Sequence, residues 1–365
     1  REYAIPLIGV TGSNGKTTVK EMIAAILAAA FGEEARLATQ GNLNNEIGVP
    51  LTLMRLASAH RAAVVELGMN HPGEIARLAA IAQPTVAMVN NAQREHQEFM
   101  HTVEAVALEN GSVFAGLPAD GVAVYPGDDT YTAMWQGLAA HCRSLTFGLN
   151  EACDVYASYE STGFGNNLKV TVPGGDFTLK LAAAGEHNVR NALAAIACAL
   201  AAGIGQDVIV RGLEAFAPVG GRLQQKRASN GALVIDDTYN ANPDSMRAAI
   251  DVLASYPAPR ILVVGDMGEV GTQGREFHEE IGAYAQSRGI ETVLATGELS
   301  RHLVASAGLE RYVHVEQFDD LLAALDKQLG GNSEATVLVK GSRFMKMERV
   351  VNHLTGSTPI SKDAH

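Results

Sequence analysis

With 365 residues, of which 47% are hydrophobic, 19% charged and 37 are glycine, the chain is long enough for two ordinary domains or one large one. That excludes a small stapled scaffold and a disordered or fibrous chain. Lys and Arg number 28 against 40 Asp and Glu, a formal net charge of -12 with no basic tract, so nucleic acid is excluded as the main partner and a bound anion has to be held by local devices.

The chain opens Arg1-Glu2-Tyr3 without Met or a signal-peptide core, and an upstream segment is expected to have been removed. Residues 4–10 read as a short buried strand ending in a glycine-rich turn, and residues 16–30 carry Val19, Met22, Ile23, Ile26 and Leu27 at helical spacing. Such apolar stretches, residues 22–31 among them, fall short of the ~20 residues of a membrane span, so no membrane insertion is expected. Residues 62–67 and 85–89 are further buried strands, separated by a helix opening at Pro72 and running through Ile75, Leu78 and Ile81. This alternation implies a mostly parallel sheet covered by helices. Cys142, Cys153 and Cys198 form no paired framework or CxxC motif, which fits packing roles in a reducing cytoplasm.

Over residues 155–181 short strands with Gly-rich turns predict an antiparallel addition to the sheet, followed by a long helix over residues 187–202. Pro218 with Gly220 and Gly221 marks the best linker, which divides the chain into residues 1–217 and 218–365. Beyond it, β-branched runs at 233–236, 261–264, 292–295 and 337–339 interleave with helical patterns at 245–254, 277–286 and 321–329. The fold class is therefore α/β, a phosphate-loop (P-loop) domain followed by a Rossmann-like α/β domain, with a frayed polar tail over residues 356–365.

The sharpest chemical signal is TGSNGKTT at residues 11–18, between a strand and a helix. Backbone N–H groups of Gly12, Ser13, Asn14 and Gly15, the helix start at Lys16, Thr17 and Thr18, and the Lys16 ammonium converge on polyphosphate there, while the Thr17 hydroxyl suits Mg²⁺. Val10 stands where a strict GxxxxGK pattern wants Gly, so the match is to a shorter GxxGKT form. The alternative is an ordinary Gly-rich helix entry.

Glu66 closes one strand run and His96 follows another after a short loop, the place where open α/β sheets gather ligand groups. They are candidate metal partners, against the plainer readings of a solvated strand end and a surface histidine. Polar clusters also stand at Asn42, Asn44 and Asn45, at Glu66 to His71, and at His187, Asn188 and Asn191, where Asn188 alternatively caps the helix. Asp236 and Asp237 end a strand of the second domain, and suit ribose or phosphate unless they only build a turn.

In order along the chain, TGSNGKTT, GNLNNEIGVP, ELGMNHPGEI, NNAQREH, GEHNVRNALAA, GGRLQ, IDDTYNANPDSM, GDMGEVG and KGSRFMKMERVV resemble the Mur ligases, and among them the branch that adds D-alanyl-D-alanine. The resemblance covers residues 10–351. It implies an ATP-dependent carbon–nitrogen ligase of peptidoglycan precursor synthesis, working on UDP-muramoyl tripeptide and D-Ala-D-Ala through an acyl phosphate. Lys16, Glu66 and His96 are then catalytic, and Thr17, Glu66 and His96 serve Mg²⁺. His187, Asn188 and Asn191 face adenine and its phosphates, and Arg222 and Asp237 of the second domain serve phosphate and ribose.

Substrate contacts are expected from Asn42, Asn44, Asn45 and His71 and, in the terminal motif, from Lys340, Ser342 and Arg343. Several of these ligases carry a carbamoylated lysine on the helix after the metal histidine. Here residues 106–111 have no lysine, and Glu109 is the candidate replacement, unless it is a solvated helix residue. The family's UDP-gripping N-terminal domain has no counterpart in the chain. A folylpolyglutamate-synthase-like ligase and a nucleotide-dependent switch are the competing readings, and the GNLNNEIGVP and NHPGEI loops speak against the first. The chain is expected to act as a cytoplasmic monomer on small molecules, with no nucleic-acid partner.

Overall fold

Strands that are apolar without alternation need cover on both faces, and the first half of the chain supplies it. The computed structural model describes residues 3–357 and divides into two units, Arg1–Ala217 and Pro218–His365. The expected frayed tail lies, from residue 358 on, outside the described residues.

In the first unit strand and helix alternate as β1 (Leu7–Thr11), α1 (Lys16–Phe31), β2 (Arg36–Ala38), α2 (Gly48–Leu53), β3 (Ala62–Glu66), α3 (Glu74–Ala82), β4 (Val86–Val89), α4 (Gln97–Met100), α5 (Val103–Gly111), β5 (Val122–Pro126), α6 (Thr132–Leu138) and β6 (Arg143–Gly148). The meander β7 (Val155–Ser161), β8 (Asn166–Val172) and β9 (Gly175–Leu181) follows, then α7 (Glu186–Ala201) and α8 (Gln206–Glu214). They form one nine-stranded sheet in the order β2-β3-β1-β4-β5-β6-β7-β8-β9, parallel up to β7 and antiparallel beyond it.

Alternate residues of the central strands β1, β3, β4 and β5 feed two cores. Ile8, Val10 and Val64 pack with Met22, Ile26 and the Ala-rich α7 on one face, while Leu7, Ala63 and Val65 pack with Leu78, Val106 and Trp135 on the other. β1 starts at Leu7 rather than residue 4, because Pro6 has no N–H for the ladder. The helix expected from Pro72 begins at Glu74, after Gly73 turns the chain at φ 88°. The expectations do not place α6 or β6: Trp135 is the one buried residue of α6 and β6 is buried only at its end, so neither carries a full apolar period.

The second unit runs β10 (Gln224–Arg227), β11 (Leu233–Asp237), α9 (Pro243–Ala254), β12 (Arg260–Val264), α10 (Gly274–Ser287), β13 (Thr292–Ala295), α11 (Ser300–Ala307), β14 (Tyr312–His314), α12 (Phe318–Leu329), β15 (Thr336–Lys340) and α13 (Glu348–Thr355). Its six-stranded sheet has the order β10-β11-β15-β12-β13-β14, with only β10 antiparallel. A capping box between Asn242 and Ser245, with Pro243 at the helix start, explains why α9 opens directly after the Asp236-Asp237 strand end. β10 reads QQKR and has no apolar alternation to betray it in the sequence.

Candidate active site

β1 and β4 are neighbours, so the loop after β1 lies against the loop after β4. The Ser13 N–H donates to the Asn91 carbonyl at 3.1 Å and the Asn14 N–H to Asn91 Oδ1 at 2.8 Å. Asn90 Nδ2 returns a bond to the Asn14 carbonyl at 2.7 Å and another to Asn191 Oδ1 at 2.8 Å. The phosphate loop is thus shaped by amide side chains rather than by its own turns. Gly15, at φ 81°, is required twice over: the angle disfavours other residues, and a Cβ there would lie 2.4 Å from Asn191 Oδ1.

α1 begins immediately after this loop, so its first-turn N–H groups and dipole favour an anion at that end. Lys16 Nζ donates to the carbonyls of Gly12 at 2.5 Å and Ser13 at 2.9 Å, and pairs with Glu95 Oε1 at 3.0 Å. Glu95 also lies 3.5 Å from His96 Nε2, and His96 takes a left-handed φ of 49°.

Glu66, at the end of β3, is 3% exposed. Its Oε1 accepts from Asn44 Nδ2 at 2.8 Å, whereas its Oε2 is buried and has no hydrogen-bond partner among the described residues. A buried carboxylate oxygen in that state suits a cation. Thr17 is buried one residue after Lys16.

In the second unit, β11 and β15 bring Asp237 and Lys340 into register. Lys340 Nζ pairs with Asp237 Oδ2 at 2.7 Å and donates to the Asn240 carbonyl at 2.8 Å, and Asp237 Oδ1 accepts the Leu223 N–H at 3.1 Å. Asp236 pairs with Lys226 at 2.7 Å and accepts the Thr238 hydroxyl at 2.6 Å. Ser342 Oγ accepts the Gly268 N–H at 2.6 Å and donates to the Ala241 carbonyl at 3.1 Å, tying three strand-end loops together. Arg222 lies over the Tyr239 ring, 4.1 Å from its centroid.

A phosphate loop on a parallel sheet is common to many proteins, and what decides among them is the extent of the match. The profile of the Mur ligase middle domain matches residues 10–199, and that of the Mur ligase glutamate ligase domain matches residues 221–343. The chain belongs to the Mur ligase family. It is 38% identical over 350 residues to the UDP-N-acetylmuramoyl-tripeptide--D-alanyl-D-alanine ligase of Escherichia coli (strain K12), covering 95% of this chain and 76% of that one. It is also similar to the crystal structure of MurF from Acinetobacter baumannii, with TM-score 0.91 at 35% identity over 96% of this chain and 77% of that one. MurF ligase from Thermotoga maritima, solved in complex with ADP, aligns with TM-score 0.86 at 26% identity, covering 98% of this chain and 81% of that one.

In this Mur ligase several of the expected site residues have partners within their own unit. Glu109 is buried rather than solvated: its two oxygens accept the N–H groups of Gly73 and Ile75, both at 2.8 Å, and so cap α3. Among the described residues no group of three His, Cys, Asp or Glu side chains is placed to hold a metal. Asn188 does not cap α7; its amide donates to the Ala184 carbonyl at 2.8 Å and its Oδ1 accepts from Asn191 at 3.1 Å. Asn45 Oδ1 is taken by the N–H groups of Ile47 and Gly48, and His71 is an exposed ring against Phe99. Arg343 is an exposed partner of Glu348.

The expectations also pass over Asn90, Asn91, Glu95 and Asn110. Thr11 donates its hydroxyl to Asn110 Oδ1 at 2.8 Å, and Asn110 Nδ2 is buried without a partner among the described residues. A paired Asn directly after a buried strand was the available signal for the first two. Nothing along the chain signals Asn110.

Proposed function

We infer that this Mur ligase joins D-alanyl-D-alanine to UDP-N-acetylmuramoyl-tripeptide with cleavage of ATP, in peptidoglycan precursor synthesis. The observation that carries this reading is the phosphate loop with Lys16 held at its mouth, within a chain aligned over 95% of its length with a ligase of that name. In the reaction that the family implies, the terminal carboxylate of the tripeptide attacks the γ-phosphorus of ATP and ADP leaves. The D-Ala-D-Ala amine then attacks the acyl phosphate, an amide bond forms, and phosphate departs.

Lys16 and the first turn of α1 neutralise phosphate oxygens, which lets an anionic carboxylate approach an anionic triphosphate. Thr17 and Glu66 are assigned to Mg²⁺, and the unpartnered Glu66 Oε2 is the feature that fits it. When bound, the ion offsets the charge that builds up on the phosphate oxygens during transfer. His96 is assigned to the same ion, and His187, Asn188 and Asn191 of α7 to the nucleotide. Lys340 and Ser342 build the strand-end cluster of the second unit. The three free cysteines and the use of ATP support a cytoplasmic setting.

Phosphate release by the intact protein tests the reading. Release should require ATP, Mg²⁺, UDP-N-acetylmuramoyl-tripeptide and D-Ala-D-Ala together. Turnover without the amine would favour a switch, and turnover with a folyl acceptor would favour the other ligase class.

A further inference from the structure

Two side chains of the segment after β2, Thr39 and Asn44, turn inward to one residue, Glu66. The Glu66 N–H donates to Thr39 Oγ1 at 3.0 Å, and Glu66 Oε1 accepts from Asn44 Nδ2 at 2.8 Å. A carboxylate only accepts, so the amide of Asn44 has to present its nitrogen there. The loop is itself clamped at both ends. The Thr39 carbonyl accepts from Lys20 Nζ at 3.0 Å, and Lys20 is 1% exposed on α1, one turn beyond Lys16. The Gly68 N–H donates to the Asn44 carbonyl at 2.8 Å. Gly68 leaves the room that Asn44 occupies, since a Cβ there would sit 2.8 Å from Asn44 Nδ2.

We propose that Asn44 is a positioning residue for the nucleotide site: by holding Glu66 Oε1 it fixes the carboxylate rotamer and leaves Oε2 as the single oxygen offered to a divalent cation carried by a nucleoside di- or triphosphate. This rests on the reading of Glu66 as a cation ligand. The second partner of a ligating group fixes its orientation and basicity, and its loss commonly costs 10- to 100-fold in metal affinity. The Asn42–Asn45 loop therefore serves the phosphate end through Asn44, in addition to any contact that it makes with an acceptor.

The test is calorimetric titration of ADP into the intact protein with and without MgCl₂, for wild type and for Glu66→Gln, Asn44→Ala, Asn44→Asp and Gly68→Ala. The quantity read is the gain in ADP affinity on adding magnesium. Glu66→Gln should lose most of that gain. Asn44→Ala should lose about tenfold of it. Asn44→Asp should lose more, because it sets a second carboxylate against Glu66. Gly68→Ala should reproduce Asn44→Ala without altering a polar group, and it carries the test if Asn44→Asp fails to fold.

A wild-type gain in the Asn44 and Gly68 variants, with the gain lost in Glu66→Gln, overturns the role of Asn44. So does a parallel fall in affinity with and without magnesium, the mark of a merely structural residue. A wild-type gain in Glu66→Gln overturns the underlying reading of Glu66 instead.

Discussion

The strand ends of the two units carry similar residues in opposite states. Around the phosphate loop, Glu66 Oε2, Glu95 Oε2, Asn90 Oδ1 and Asn110 Nδ2 are buried without partners among the described residues. In the second unit Asp236, Asp237 and Asp266 are each engaged at both oxygens, by Lys226 and Thr238, by Lys340 and the Leu223 N–H, and by the Leu299 and Ser300 N–H groups that open α11. Buried polar atoms left open lower stability unless something binds them, whereas closed networks hold a loop still. The first cluster has the composition of a binding site. The second has that of a scaffold for its loops.

The largest effect should come from the open side. Lys16→Ala removes the Lys16 ammonium from the phosphate loop, and ATP turnover should fall by roughly 10²–10³-fold, the range for removing a preorganised charge-stabilising donor. Steady-state phosphate release measures this, with circular dichroism to show that the fold persists. Near-normal turnover would mean that phosphate is held elsewhere.

On the closed side the effect should fall on stability. Lys340→Met leaves Asp237 buried without its cation and should cost about 3–5 kcal/mol, and the double variant Lys340→Met with Asp237→Asn should recover most of that loss. Denaturant unfolding decides it. A double variant no better than the single one would mean that Lys340 acts by more than the pair.

Glu109 tests the boundary between the two kinds of site. Glu109→Gln keeps the shape but turns an N–H donor toward backbone donors, so it should cost about 1–2 kcal/mol through the lost cap of α3 and leave magnesium titrations unchanged. A shifted magnesium dependence at wild-type stability would return Glu109 to the metal.

The smallest effect concerns His278, which is buried on α10. Its Nδ1 lies 2.6 Å from the Gly274 carbonyl and its Nε2 accepts the Met267 N–H at 3.1 Å, so the ring is neutral. Burial holds its pKa below the usual 6.5. The unfolded chain then takes up a proton before the folded one does. The contribution of His278 to stability is complete above about pH 6.5 and declines as pH falls below it toward the folded value. Melting temperatures between pH 8 and 5 should fall less steeply in His278→Gln than in wild type. An equal slope would assign the acid sensitivity to other groups.

Local pattern sufficed wherever one element supplies the whole signal. TGSNGKTT declares a strand end, a glycine-rich loop and a helix start within eight adjacent residues, and the all-apolar strands declare a sheet covered on both faces, because burial on both sides removes the period of two. The linker at Pro218 is likewise written in Pro and Gly. What the chain could not announce is which polar residues of different elements share a site. Glu109 reads as a free carboxylate until α3 is seen to begin against α5, and Asn44 reads as a loop amide until β2 and β3 are seen side by side. Thr11 and Asn110 stand 99 positions apart. A side chain's partners depend on sheet order and helix packing, which form through contacts between distant elements, whereas periodicity and turn chemistry report only on neighbours along the chain.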